Sequence, residues 1–271
     1  EIVIGDWSSD VCSSDLNRKD GEESLRKFVE KENIMQKILI TNDDGIQSDG
    51  IIRLARAAKK YGKVWVVAPD GQRSAMSHRI TLHETIEFLS VDFPVEGVHA
   101  YASTGTPADC VRFGILNIVK EKPDYVFSGI NYGYNSGTDI QYSATVGSAL
   151  EAACAGVHAV AFSEGASECH EVTDAYLERM MEELMEQPLA YNQIWNVNFP
   201  QCELEKLRGI LYDRKIADCG FFIDEYLEEE LENGRIRLTV HGNYNENAPE
   251  GTDFRALVDG YISVGKVNNL R

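Results

Sequence analysis

The stretch KILITNDDGIQSDG, residues 37–50, opens with an apolar run, Ile38-Leu39-Ile40, that stops at Asn42-Asp43-Asp44-Gly45. A helical pattern starts near Asp49. A short apolar run ending in acids and a glycine reads as a buried parallel strand that delivers side chains at its carboxyl end. In open α/β sheets, ligands bind at that end. Two adjacent carboxylates repel each other unless positive charge sits between them, and a divalent cation is the simplest source of it. The plainer reading is a solvated strand-to-helix turn, with Asp-Gly as turn chemistry. The rest of the chain has to choose between the two.

Downstream, Ile51, Leu54, Ala55 and Ala58 recur at helical spacing, with Asp49 as N-cap and Gly62 as C-terminal stop. Residues 64–68, VWVVA, read as a second buried strand, and a polar loop from Gly71 to Arg79 follows. Strand-like pieces lie at 86–89 and 98–102. Thr106-Pro107-Ala108-Asp109 opens a helix: threonine caps, proline takes the first position, and Asp109 falls where a capping-box acid belongs. A strand at 125–128 runs into a loop dense in Gly and Asn, residues 129–137. Helix, strand, helix and strand then follow at 143–155, 158–163, 172–185 and 194–198. This alternation predicts a doubly wound, mostly parallel α/β sheet over residues 35–200.

Residues 201–271 read differently. Short strand-like pieces at 209–212, 235–240 and 261–264 flank an acidic run, 224–232, that reads as helical. This tail is expected to be an extension that packs on the core or on a second subunit.

With 271 residues and 43% hydrophobic content, the chain can bury a sizeable core. No stretch has the length needed to span a bilayer. A net charge of -18 argues against a nucleic-acid groove, which needs a basic face, but not against a phosphorylated small molecule. The six cysteines show no C-x-x-C pair and no zinc spacing, so free thiols and a cytoplasmic, reducing location are expected. Residues 6–16, DWSSDVCSSDL, have no apolar period and match the translation of a common sequencing-adapter oligonucleotide. Residues 1–34 are therefore expected to be a non-native leader, with the natural chain starting at Met35.

Four loops after strands offer oxygen donors: Asp43 with Asp44, the Ser74 loop, Asn131, and Ser143 at a helix start. Histidine and cysteine are absent from the set, which suits a hard cation such as Mg²⁺ or Mn²⁺ rather than zinc. A Gly-rich loop before a helix N-terminus makes an anion cradle from backbone N–H groups and the helix dipole. Cation beside anion cradle is the layout for hydrolysing a phosphate ester. Each piece also has a plain reading: Asn131 as a turn former, Ser74 as a solvated hydroxyl, Ser143 as an N-cap. His78 reads as a solvated loop histidine.

With these motifs in place the chain resembles the SurE family, stationary-phase survival proteins that act as 5′/3′-nucleotidases. The resemblance rests on NDDG (42–45), APDGQRSA (68–75), GTPADCV (105–111), SGINYGYNSGTDIQYSATV (128–146), NVNFP (196–200) and GTDF (251–254). It implies a Rossmann-like core, a C-terminal hairpin swapped between subunits, and a homodimer or homotetramer. It implies one divalent ion per subunit on Asp43, Asp44, Ser74 and Asn131. Asp43 and Asp44 are expected to be catalytic, and Asn131, Gly133, Asn135, Ser143 and Thr145 to meet a small-molecule nucleotide. Many members have YSGTV where this chain has Tyr142-Ser143-Ala144-Thr145-Val146.

The reading is then a divalent-metal-dependent phosphomonoesterase acting on nucleoside 5′- and 3′-monophosphates, with short polyphosphate as a further substrate. The alternative is a non-catalytic nucleotide-binding or receiver-like signalling domain. A receiver would need an acid after its third strand, where this chain has Gly129-Ile130-Asn131, and a dinucleotide-binding module would show G-x-G-x-x-G after the first strand. A haloacid-dehalogenase-like route wants D-x-D, whereas Asp43 and Asp44 are adjacent.

Overall fold

A computed structural model describes residues 35–245 and 247–269; the expected leader, residues 1–34, lies outside them. The first half of the chain gives β1 (Gln36–Thr41), α1 (Asp49–Ala58), β2 (Gly62–Pro69), β3 (Phe88–Val91), β4 (His99–Ser103) and α2 (Pro107–Phe113). Then come β5 (Tyr125–Tyr132), α3 (Ala144–Cys154), β6 (His158–Glu164), α4 (Glu171–Glu186) and β7 (Gln193–Phe199). The last part holds β8 (Ile210–Arg214), β9 (Phe222–Leu231), β10 (Arg235–Tyr244), α5 (Asp253–Val258) and β11 (Ile262–Asn268).

Nine strands form one sheet in the order β3-β4-β2-β1-β5-β6-β7-β11-β8. Every neighbouring pair from β4 to β7 is parallel. The chain starts at the centre with β1, winds outward through β2 to β4, then returns to β5 and continues the other way. Strand order therefore reverses between β1 and β5, and the carboxyl ends of those two strands flank the crevice where such sheets bind ligands.

Burial on both faces explains the unbroken apolar runs. Ile38 and Ile40 face a core shared with Ile51 and Leu54 of α1 and Leu177, Met180 and Met181 of α4. Leu39, between them, faces the opposite core, built on Cys110 and Val111 of α2 and Val146, Ala149 and Ala152 of α3. Burying each larger side chain fully stabilises the fold by roughly 1.5–3 kcal/mol. The capping box forms as the sequence predicts: Asp109 N–H donates to Thr106 Oγ1 at 3.1 Å and Thr106 N–H to Asp109 Oδ2 at 2.9 Å. Gly62 does not stop α1, which ends at Ala58; it is the first residue of β2, where Gln36 O passes too close for a Cβ.

The C-terminal segment divides. β11 pairs antiparallel with β7 and parallel with β8, so two of its strands complete the main sheet. β9 and β10 form a separate two-stranded sheet. The acidic run at 224–232 is thus strand rather than helix over almost all its length. Its glutamates favour helix locally, but a ten-residue antiparallel ladder with β10 overrides that preference, with Tyr226 opposite Val240 and Glu229 bridged to Arg237 at 2.7 Å. The hairpin leaves large apolar residues exposed, among them Leu227, Ile236, Leu238 and Val240.

Candidate active site

The turn after β1 is built by its own polar groups. Asn42 is fully buried, and its side-chain amide donates to Gly45 O at 3.0 Å and Ser48 Oγ at 2.7 Å. Gly45 stands at φ +97°, in the left-handed region, with the Gly71 backbone against it. Ile46 N–H donates to Pro69 O at 2.9 Å, which ties the turn to the end of β2. These contacts fix Asp43 and Asp44 at the crevice.

Asp43 is 4% exposed. Its carboxylate accepts the Thr145 hydroxyl from α3, and that hydroxyl also lies 3.2 Å from Asn131 Oδ1 at the end of β5. Burial pushes the Asp43 carboxyl up to about 7; the Thr145 hydroxyl pulls it down, and the charge of Asp44 adds to the rise. Asp44 is also raised by burial, against the Tyr132 N–H, which donates to its Oδ2 at 3.1 Å, and against the Gln72 side chain. Three elements that meet only through the fold thus converge on one carboxylate pair.

Asn131, Ser74 and Ser143 line the same cavity as Asp43, of about 540 Å³. Tyr134, Tyr142, Phe222 and Val240 add aromatic and apolar wall, and Asn135 and Asp139 add polar groups. The Asn131 side-chain amide donates to Gly133 O at 2.8 Å, which turns its Oδ1 toward Thr145. Ser74 is exposed on the rim. Ser143 does act as the N-cap of α3, its hydroxyl accepting the Val146 N–H at 3.0 Å. Ala144, the departure from YSGTV, is fully buried at the first position of that helix.

The Gly/Asn loop differs from the expected cradle. Gly133 N–H donates to Glu164 O at 2.9 Å, Asn135 N–H to Asn198 Oδ1 at 2.8 Å, and Gly137 N–H to Asp253 Oδ2 at 3.0 Å. These donors hold the loop itself in place. Asn135 is buried, and its side chain donates to Ser163 Oγ at 2.8 Å. At the start of α3, Val146 N–H is taken by Ser143 Oγ and Gly147 N–H by Ser143 O, which leaves the amides of Ala144 and Thr145 as the donors open to an anion.

The residues that frame this loop fall in the motifs NVNFP and GTDF, to which the sequence reading gave no role. Asn196 and Asn198 project from β7 and both donate to Asn135 O, at 2.9 and 3.0 Å. Asp253, at the start of α5, also accepts Ala217 N–H at 2.9 Å, and burial raises its carboxyl against the backbone N–H groups that hold it. Two asparagines at i and i+2 in an otherwise apolar buried strand were the available signal, since polar groups placed there must satisfy something inside. His78 is not merely solvated: its Nε2 lies 2.8 Å from Glu151 Oε2 on α3. Among the described residues the five cysteines are free, and no helix is long and apolar enough to cross a membrane.

The donor set fits a hard divalent cation. Asp43 and Asp44 are adjacent carboxylates whose charge is disfavoured by burial; Ser74 and Asn131 supply neutral oxygens on the cavity of Asp43, while Asp44 lines a neighbouring pocket with Tyr132 and Glu164.

The family model "Survival protein SurE" matches residues 38–218. A protein named "5'-nucleotidase SurE" from Thermoanaerobacter sp. (strain X514) is 38% identical over 237 residues, 86% of this chain and 92% of that protein. One of the same name from Clostridium botulinum (strain Loch Maree / Type A3) is 39% identical over 233 residues, 84% of this chain and 90% of its own length. The crystal structure of the SurE protein from Aquifex aeolicus superposes with a TM-score of 0.73 at 32% identity, covering 86% of this chain and 93% of that one.

Proposed function

The chain belongs to the SurE family, and from that premise we propose that it hydrolyses nucleoside 5′- and 3′-monophosphates to nucleoside and phosphate, using one Mg²⁺ or Mn²⁺ ion per subunit. The observation that carries this reading is the convergence of Asp43 from β1, Asn131 from β5 and Thr145 from α3 at the point where strand order reverses. Asp43, Asp44, Ser74 and Asn131 would hold the ion. A divalent ion bound there polarises a phosphoryl oxygen and lowers the pKa of water beside it.

The chain's own residues supply the rest. Thr145 fixes the rotamer of Asp43 through its hydroxyl, so the carboxylate keeps one orientation. Asp43 or Asp44 accepts the proton of the attacking water, and burial raises both carboxyls above the ordinary carboxylate value. The first-turn amides of α3 and the helix dipole face the phosphate's developing charge. Asn131, Ser143 and Thr145 border that position, and Gly133 and Asn135 keep the loop rigid behind it. Tyr134, Tyr142 and Phe222 offer flat apolar faces against which a base can rest. The same phosphoryl chemistry extends to short polyphosphate.

A second copy of the chain is the expected partner. An isolated two-stranded hairpin is marginal in water, and β9–β10 exposes apolar residues on its long strands. Exchange of such an arm gives a homodimer, or a homotetramer if dimers pair, at low cost.

The test is phosphate release from a panel of nucleoside 5′- and 3′-monophosphates, glycerol phosphate and tripolyphosphate. The proposal expects the nucleotides to be turned over with the highest kcat/KM. Equal turnover of glycerol phosphate would remove the nucleoside from the reading, and no phosphate release from any of them would remove the enzyme.

A further inference from the structure

The loop between β2 and β3 carries Ser74, and it has no regular structure of its own up to β3. Among the described residues the Ser74 hydroxyl has no hydrogen-bond partner, so the position of that oxygen depends on how firmly the loop is held. Ala75 at φ 57° and Ser77 at φ 52° lie in the left-handed region that non-glycine residues seldom take. A segment of this kind relaxes unless its surroundings over-determine it.

Besides the Gln72 side chain on Asp44 and the Thr106 hydroxyl, which donates to Arg79 O at 2.6 Å, three contacts hold it around Ser74. Arg73 N–H donates to Asp43 O at 2.7 Å, which ties the near end to the β1 turn. Ser77 docks on the entry to α3: its N–H donates to Tyr142 O at 3.0 Å, and its hydroxyl to Gln141 O at 2.8 Å. The third contact is between side chains. His78 Nε2 lies 2.8 Å from Glu151 Oε2, and Glu151 Oε1 lies 3.5 Å from the Arg112 guanidinium on α2. Glu151 is on the same helix as Thr145, which holds Asp43. His78 does not line the cavity.

We propose that His78 is a positioning residue, latching the Ser74 loop to α3 through Glu151 so that Ser74 and the Thr145-held Asp43 keep a fixed separation at the cation site. The inference rests on the reading of Asp43, Asp44, Ser74 and Asn131 as the cation's ligands. It assigns His78 no proton to move. The imidazole is spent on a carboxylate outside the cavity, and its effect travels through the loop.

The experiment is a Mn²⁺ titration of the full chain, with free ion read by electron paramagnetic resonance. The proteins are the wild type, His78→Ala, His78→Gln, Ser74→Ala and the Ser74→Ala/His78→Ala double variant. His78→Ala is expected to weaken Mn²⁺ binding about tenfold, the scale of one hydrogen bond to a charged group. His78→Gln keeps an N–H within reach of Glu151 and should recover most of that loss. Removing His78 in the Ser74→Ala background should cost nothing more, because the latch acts through Ser74. The pH profile of kcat/KM should keep both limbs in His78→Ala. Wild-type binding by His78→Ala, or losses that multiply in the double variant, would overturn the proposal. Loss of one limb would make His78 a proton carrier and overturn it equally. If His78→Ala does not fold, Glu151→Gln removes the same charged contact and is read the same way. A wild type that binds no Mn²⁺ would instead refute the cation reading, an outcome distinct from binding that is indifferent to His78.

Discussion

Gly147→Ala sets helix propensity against packing. On propensity alone, alanine in place of a helical glycine stabilises by about 1 kcal/mol. In this fold Gly147 lies where α3 passes the Ser77 carbonyl, and an added Cβ would stand 2.7 Å from Ser77 C and 2.9 Å from His78 N, with Ser77 O closer still. All three are backbone atoms, so no side chain can rotate away. Opening the closest approach, that of Ser77 O, to an ordinary 3.4 Å takes about 1 Å of movement of the Ser77 backbone. Overpacking of this size costs about 1–3 kcal/mol, which offsets the propensity gain and leaves the variant up to about 2 kcal/mol less stable. At about 2–4 °C per kcal/mol for a chain of this size, Tm should fall by up to roughly 8 °C. The functional loss should be larger. The movement carries Ser74 with it, and misplacement by about 1 Å can cost on the order of 10²-fold in rate. Thermal melts and kcat/KM with a nucleoside monophosphate check both. A variant that melts higher than wild type and keeps full activity would show that the loop is not seated on α3 as described.

In chelator-treated protein, Asp43 raised from 3.8 to about 7 means the folded state holds a proton that the unfolded chain releases. Its stability contribution is complete below the unfolded value and lost as pH rises through about 7, on the order of 4 kcal/mol. Urea melts at pH 5 and pH 8 should show the part of this fall between them, on the order of 3 kcal/mol, and Asp43→Asn should flatten it while weakening Mn²⁺ binding. Arg53 donates to Glu164 Oε1 at 2.7 Å and Oε2 at 3.2 Å and to Asp174 at 2.7 Å, and both the Arg53 and Glu164 side chains are largely buried. Arg53→Ala should therefore lose about 3 kcal/mol, the low end for breaking a buried pair, in equilibrium unfolding, because the buried Glu164 loses its guanidinium partner and keeps only the His170 Nδ1 contact at 3.0 Å among the ion pairs of the described residues. Replacing residues 222–244 by a short Gly-Ser linker should give a monomer by light scattering, and an unchanged mass would place the subunit contact elsewhere.

Local signals were the legible ones. The strand ending at Asn42-Asp43-Asp44-Gly45 and the capping box of Thr106 and Asp109 are written in a few consecutive residues, and both appear as read. The doubly wound class followed from alternation, which put Asp43 and Asn131 after strands; that those two strands are neighbours came only with the fold. What sequence could not give was set by distant partners. β9 read as helix because its glutamates are judged alone until β10 pairs with them. β8 and β11 join the main sheet through neighbours far along the chain. The amides of Gly133, Asn135 and Gly137 read as free because Glu164, Asn198 and Asp253, which accept from them, lie elsewhere in sequence. The contact of Thr145 with Asp43 spans 102 positions, so its role in orienting the carboxylate emerges only when α3 docks beside β1.

The central claim is hydrolysis supported by a divalent ion on the Asp43–Asp44 pair. The direct measurement is phosphate release from a nucleoside 5′-monophosphate by protein dialysed against chelator, before and after adding Mn²⁺ or Mg²⁺, for wild type and Asp43→Asn. Wild type should show no turnover until the ion is added and full turnover afterwards. Asp43→Asn should fall by on the order of 10²-fold or more at limiting ion, the scale of losing one charged group that organises the transition state. Full turnover by wild type with metal content confirmed as nil, or near wild-type turnover by Asp43→Asn at limiting ion, would contradict the account.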